Sequence, residues 1–241
     1  MVGTDPTRAP VPSRAHTGPA RRYTRDMILG VNDGLVSVFL LIAGVVGGGL
    51  SADQVLLAGI AAAVAGAVSM AAGEFMATKS QEEVFERERA LEKEHIAHHR
   101  HSEIAEIRHM FGGLGFPDDT VEHIVEAVDA DDEAFLQVMM ALEFGVVEGG
   151  RRSPITAMVT TGSLFVAGSL PATIPFLFVD HTGLGLGIAA AASGISLFAV
   201  GAAKTLATGT NPLRSGLENT AIAAAGAVLS YGLGRLISSA V

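Results

Sequence analysis

Residues 27–50 read MILGVNDGLVSVFLLIAGVVGGGL, an apolar run carrying a single charge, Asp33. At about 1.5 Å per residue it is long enough to cross a hydrocarbon core of about 30 Å. A carboxylate at that depth costs roughly 2.5–3.5 kcal/mol on insertion scales, so it persists where it faces a pathway or a partner helix rather than lipid. Four more apolar runs follow: 54–73, 153–179 and 182–203, all free of charge, and a weaker one at 219–237. With 49% hydrophobic residues in 241, gathered into long stretches, the chain is too apolar for an ordinary soluble domain. The expected fold is an all-α integral membrane protein with five transmembrane helices.

Charge gives the orientation. Arg8, Arg14, Arg21, Arg22 and Arg25 precede the first run, eight lysines and arginines lie between Lys79 and Arg152, and Lys204 and Arg214 lie between the fourth and fifth runs. Of all 16 basic residues, Arg235 alone falls elsewhere. The positive-inside rule therefore places the N-terminus and the segment between spans two and three in the cytoplasm. Residues 1–24, rich in Pro, Arg and Thr, read as a disordered basic tail near anionic headgroups. A cleaved signal peptide is the competing reading, but the run is long for that role and carries Asp33. The absence of cysteine excludes a disulfide framework and thiolate metal chemistry.

Within the runs, glycines recur every seventh residue at Gly59, Gly66 and Gly73 and again at Gly187, Gly194 and Gly201. Such stripes let two helix backbones approach in lipid and read as packing seams, with a glycine-lined pore as the alternative. Pro171 and Pro175 are expected to kink span three. The segment 80–150 has the opposite character, with 18 acids against five bases. Its punctuation, residues 112–117 and 129–132, predicts a long helix from 80 to about 111, a second from 118 to 128 and a third from 132 to 147. No glycine or proline separates span two from the long helix, so the two are expected to form one rod. The predicted organisation is a tail (1–24), spans one and two (25–79), a cytoplasmic three-helix acidic domain (80–152) and spans three to five (153–241).

On the long helix, Glu92, His95, His99, Glu103 and Glu106 are spaced by 3, 4, 4 and 3 residues, which puts them on one helical face. The third helix adds Met139, Met140 and Glu143. Clustered carboxylates repel unless a cation sits among them, and oxygen with imidazole and thioether donors suits late first-row divalent ions, iron(II) and manganese(II), better than magnesium or calcium. A solvated acidic helix is the plainer alternative. The histidines at 98, 101, 109 and 123 read as surface residues. In the membrane, Asp33 lies about 12 Å below the cytoplasmic face and Met70, on an antiparallel span two, about 14 Å below it, with Glu74 nearer the mouth. Packing and helix–helix hydrogen bonding are the structural alternatives for these three.

Gly30-Val31-Asn32-Asp33-Gly34-Leu35, Ser69-Met70, Glu103-Ile104-Ala105-Glu106-Ile107, Met139-Met140 followed by Glu143, and Leu213-Arg214-Ser215 together resemble the vacuolar iron transporter family over residues 22–240. The resemblance implies a homodimer of five-helix protomers that exports divalent metal from the cytosol in exchange for protons. It also implies cytoplasmic ligands at Glu92, Glu103, Glu106, Met139, Met140 and Glu143 and pathway residues at Asp33 and Met70. Two positions depart from the family pattern. His95 stands where a further glutamate is common, and Ala62 stands where iron-transporting relatives often carry a glutamate, with Glu74 one turn after Met70 instead. The resulting expectation is a proton-coupled iron(II) or manganese(II) exporter, with the metal as substrate and no resident cofactor. It would sit in the lipid bilayer of a bacterial inner membrane and bind no nucleic acid. A membrane-anchored metal buffer or sensor is the rival. An enzyme is not expected, since no HExxH or GxSxG pattern occurs.

Overall fold

The computed structural model describes residues 24–145 and 151–240, and the side chains of residues 24–26, 207 and 208 are outside the description. The expected tail at 1–24 therefore lies almost wholly outside the described residues, and the third cytoplasmic helix, expected to run to about 147, ends at Glu143 ahead of Gly145 at φ +65°. The described residues are helical, with no strand among them. In chain order they form α1 (Thr24–Gly47), α2 (Ala52–Gly113), α3 (Asp118–Asp129), α4 (Asp132–Glu143), α5 (Pro154–Thr173), a 3-10 turn (Ile174–Leu177), α6 (Thr182–Ala203), α7 (Thr205–Thr208) and α8 (Pro212–Ala240). Five of them, α1, α2, α5 with its 3-10 turn, α6 and α8, are long and apolar enough to cross a membrane.

The ends follow local chemistry. Gly49, at φ +84°, turns the chain out of α1, and the Gln54 side chain accepts the Ser51 N–H ahead of α2. Asn211 Oδ1 accepts the N–H groups of Leu213 and Arg214 and caps α8. Asp131 does the same for α4 through Glu133 and Ala134. Pro171 lies inside α5, and with Pro175 the path changes from α to 3-10 geometry at residue 174; each proline removes one N–H from the ladder.

The chain divides into two compact units. The first contains the described residues up to Ala71 and those from Val159 onward. Its core gathers Val38, Phe39, Ile42, Val55, Phe165 and Phe176, with Met70 packed at the edge. α1 is pinned by backbone approaches on two sides. A Cβ on Gly34 would overlap the Phe165 carbonyl of α5, and one on Gly234 of α8 would overlap the Gly44 carbonyl. Large apolar side chains such as Leu57, Val68, Ile195 and Leu229 point outward, the inversion expected of helices whose solvent is lipid. The seven-residue glycine stripes are seams only in part. Gly59, Gly66 and Gly201 meet neighbouring side chains or backbone, Gly194 is in ordinary contact, and Gly73 and Gly187 have nothing within 4 Å.

The second unit, Ala72–Met158, lies in the chain between the apolar part of α2 and that of α5. Its core is Phe85, Ile96, Ile107, Val121, Val125, Val128, Phe135, Leu136, Met139 and Met140. α2 continues from the apolar run into this unit without a break, and it is the single long helix expected from 80 to about 111 that is corrected. His99 leaves helical geometry at φ −129°, ψ 27°, so the helix that enters this unit ends near residue 98 and a separate one runs on to Gly113. Among the described residues, the stretch from 80 to 143 thus holds four helical segments rather than the expected three. Apolar burial supplies the reason, since Ile96 before the break and Ile107 after it both enter one core, which a straight helix would hold about 16 Å apart along its axis.

Candidate metal centre

The break at His99 makes the centre. On an unbroken helix, Glu92 and Glu103 would also be separated by about 16 Å of axial rise. In the folded unit, ligand atoms of Glu92, His95 and Glu103 all lie within 4.8 Å of one another. His95 Nδ1 is 3.7 Å from Glu103 Oε1. The single face of five residues expected from spacing is thus replaced by two short helical faces meeting across a bend. His99 contributes the bend, its ring 6.3 Å from that of His95 and edge-on to it.

Arginines on both sides of the bend hold the arrangement. Arg89, before it, donates to Glu133 at 2.7 Å. Arg100, immediately after it, donates to the Asp129 carboxylate and carbonyl and to Asp132, each at 2.6 Å, and lies 5.3 Å from the centroid of the buried Phe135 ring. Farther on, Arg108 grips both carboxylate oxygens of Glu122 at 2.6 and 2.9 Å. These contacts fasten both legs of the bend to α3 and α4.

The electrostatics are those of a cluster of carboxylates around one imidazole. Glu92 and Glu103 are 4% and 6% exposed, and Glu92 Oε1 is buried with no hydrogen-bond partner among the described residues. A buried carboxylate oxygen left so costs free energy that a bound cation would recover. Burial, the charges of Glu103, Glu143 and Glu106, and a hydrogen bond with Glu103 push the Glu92 carboxyl up to about 7. Glu143 is raised as well, first by desolvation and then by Glu106, Glu103 and Glu88, with His95 opposing. Glu106 and Glu143 therefore act on the cluster from its exposed rim. Met139 and Met140 are buried in the adjoining core, and Met140 lines a cavity of about 600 Å³ together with Phe85, Glu88 and Arg151.

The membrane candidates are placed differently. Asp33, half-buried on α1, accepts a hydrogen bond from Ser37 Oγ at 3.0 Å. Its neighbour Asn32 receives one from Asn219 of α8 at 2.8 Å, and Asn219 also donates to the Leu197 carbonyl of α6. Met70 is partly buried against the membrane-unit core. Glu74 belongs to the second unit and is paired with Arg152 at 2.9 Å. Sequence reading passed over Glu88, Arg100, Arg152 and the Asn32–Asn219 link. Glu88 alone carried a usable signal, one turn ahead of Glu92.

The model of the VIT family matches residues 24–235, nearly the whole of the described chain. The chain belongs to the VIT family. It is similar to vacuolar iron transporter 1 of Arabidopsis thaliana, with 31% identity over 218 residues covering 90% of this chain and 87% of the relative. It is also similar to vacuolar iron transporter 1 of Tulipa gesneriana, at 30% with 91% and 89% covered. The vacuolar iron transporter of Toxoplasma gondii matches at 27%, with 94% and 78% covered. This VIT-family chain is an integral membrane protein with five helices long and apolar enough to cross a membrane.

Proposed function

We propose that the protein moves divalent metal, iron(II) or manganese(II), out of the cytosol in exchange for protons, and that the acidic unit is its cytoplasmic collector. The observation that carries this reading is the buried, unpartnered Glu92 oxygen beside His95 and Glu103, with ligand atoms within 4.8 Å. Glu106 and Glu143 add charge at the rim, and Met139 and Met140 supply thioethers that favour softer first-row ions over magnesium and calcium. The relatives' names and the near-complete coverage of their length support transport over storage.

From the collector the ion passes to Glu74 and then to Asp33 and Met70. Met70 and Glu74 lie one turn apart on α2, so a cation handed along that helix keeps a donor within reach. Protonation of Asp33 from the far side then weakens the membrane site and releases the ion. Two protomers act together as a homodimer. The test is manganese(II) entry into liposomes carrying a fluorescent metal indicator. Wild-type protein is expected to transport, and Asp33→Asn to lose flux while keeping metal binding by the acidic unit. Wild-type flux in Asp33→Asn would remove Asp33 from the route, and binding without flux in both proteins would favour a membrane-anchored buffer.

A further inference from the structure

Arg152 stands two residues ahead of α5, and its Nη2 reaches α2. Nη2 donates to Glu74 Oε1 at 2.9 Å and to Thr78 Oγ1 at 3.2 Å. Thr78 Oγ1 in turn donates to the same Glu74 oxygen at 3.3 Å, closing a three-membered network. Thr78 is 3% exposed, and the Arg152 and Glu74 side chains are only 16% and 17% exposed. Glu74 and Thr78 are one helical turn apart, so the carboxylate is steadied on its own helix and held from outside it by the arginine.

We propose that Arg152 is a tethered cation that occupies the Glu74 carboxylate and must be displaced before a metal ion can bind there, which makes it a specificity-determining residue of the cation route. The proposal rests on the reading that Glu74 lies on that route. A divalent ion competes well, because it brings twice the charge of a guanidinium and coordinates the carboxylate oxygen directly. A monovalent ion brings no more charge than Arg152 and replaces none of its hydrogen bonds. At this degree of burial the ion pair is only weakly screened by solvent, so the threshold excludes sodium and potassium while admitting iron(II) or manganese(II). Arg152 also resets Glu74 after the ion has moved on, since the arginine is always charged and always within reach.

The test uses full-length protein in detergent carrying Glu92→Gln and Glu103→Gln, which silence the collector. Bound manganese(II) is read by loss of the free-ion electron paramagnetic resonance signal. Hydrogen bonds to charged groups of this kind translate into about tenfold in affinity. Adding Arg152→Gln is therefore expected to tighten the remaining manganese(II) binding about tenfold and to make it sensitive to potassium. Adding Glu74→Gln to that protein should abolish the gain. A monodisperse Arg152→Gln protein with unchanged affinity, or a gain that survives Glu74→Gln, overturns the proposal. Should Arg152→Gln fail to fold, Arg152→Lys decides. Its compact ammonium keeps the charge but fits the network less well, so a gain of about two- to threefold is expected, and none would overturn the proposal. Because the readout is binding, absence of liposome flux would count against transport without touching this result.

Discussion

Replacing Glu92 by Gln should stabilise the metal-free protein at neutral and alkaline pH. The folded state holds the Glu92 carboxyl at about 7 against an ordinary 4.5, and 2.5 units at 1.36 kcal/mol each amount to about 3 kcal/mol. Below pH 4.5 both folded and unfolded chains keep the proton, and the shift contributes nothing. Between 4.5 and 7 the folded chain retains a proton that the unfolded chain has lost, so stability falls as pH rises; above 7 the full destabilisation persists. Glutamine fills the same space without the charge. In chelator at pH 8, Glu92→Gln should gain about 3 kcal/mol over wild type, shrinking to about 1 kcal/mol at pH 5. For a chain of this size that is on the order of 5–10 °C in Tm at the upper pH. Saturating manganese(II) should reverse the order, since the neutral amide oxygen of glutamine ligates more weakly than the charged carboxylate. Thermal unfolding in detergent across pH 5–8, with and without metal, reads all of this. A Glu92→Gln protein no more stable than wild type in chelator at pH 8, or a gain that does not shrink toward pH 5, would refute the reasoning.

Met139→Leu and Met140→Leu conserve volume in the core, so unfolding should shift by less than about 1.5 kcal/mol, while isothermal titration should show weaker iron(II) and manganese(II) binding with magnesium binding unchanged. Arg100→Ala removes the clamp after the bend and is expected to weaken manganese(II) binding by the acidic unit about tenfold, an effect that titration of full-length protein would reveal. Phe135→Ala empties a fully buried ring site and should cost about 3–5 kcal/mol in the acidic unit. Hydrogen exchange should show that loss in residues 100–143, with the slowest amides of α1 and α8 unaffected.

The five apolar helices could be read from the sequence because lipid imposes a long, nearly charge-free stretch on each, and a single intruding carboxylate such as Asp33 stands out against it. The starts of α3 and α4 were also legible, since Pro117 and Asp131 act on their immediate neighbours, whereas the end of α4 was placed about four residues too late. The bend at His99 was not. No glycine or proline marks it, and its causes are nonlocal: Arg100 reaching residues 129 and 132, and Ile96 and Ile107 sharing one core. Spacing on a straight helix grouped Glu92, His95 and Glu103 on one face, whereas their ligand atoms come together across the bend. Glu88 stood one turn ahead of Glu92, but its neighbours Glu82, Glu83 and Glu86 carry the same charge and diluted that signal. Arg152 looked like one more cytoplasmic positive charge until Glu74 and Thr78 were found around it.

The most direct test of the central claim is a paired measurement in liposomes holding both a metal indicator and a pH indicator, with an acidic lumen imposed at the start. The account predicts that wild-type protein takes up manganese(II) or iron(II) faster when the lumen is acidic, and that the lumen turns alkaline in step with metal entry. Metal uptake that ignores the pH gradient and moves no protons, or metal binding with no uptake at all, would contradict it.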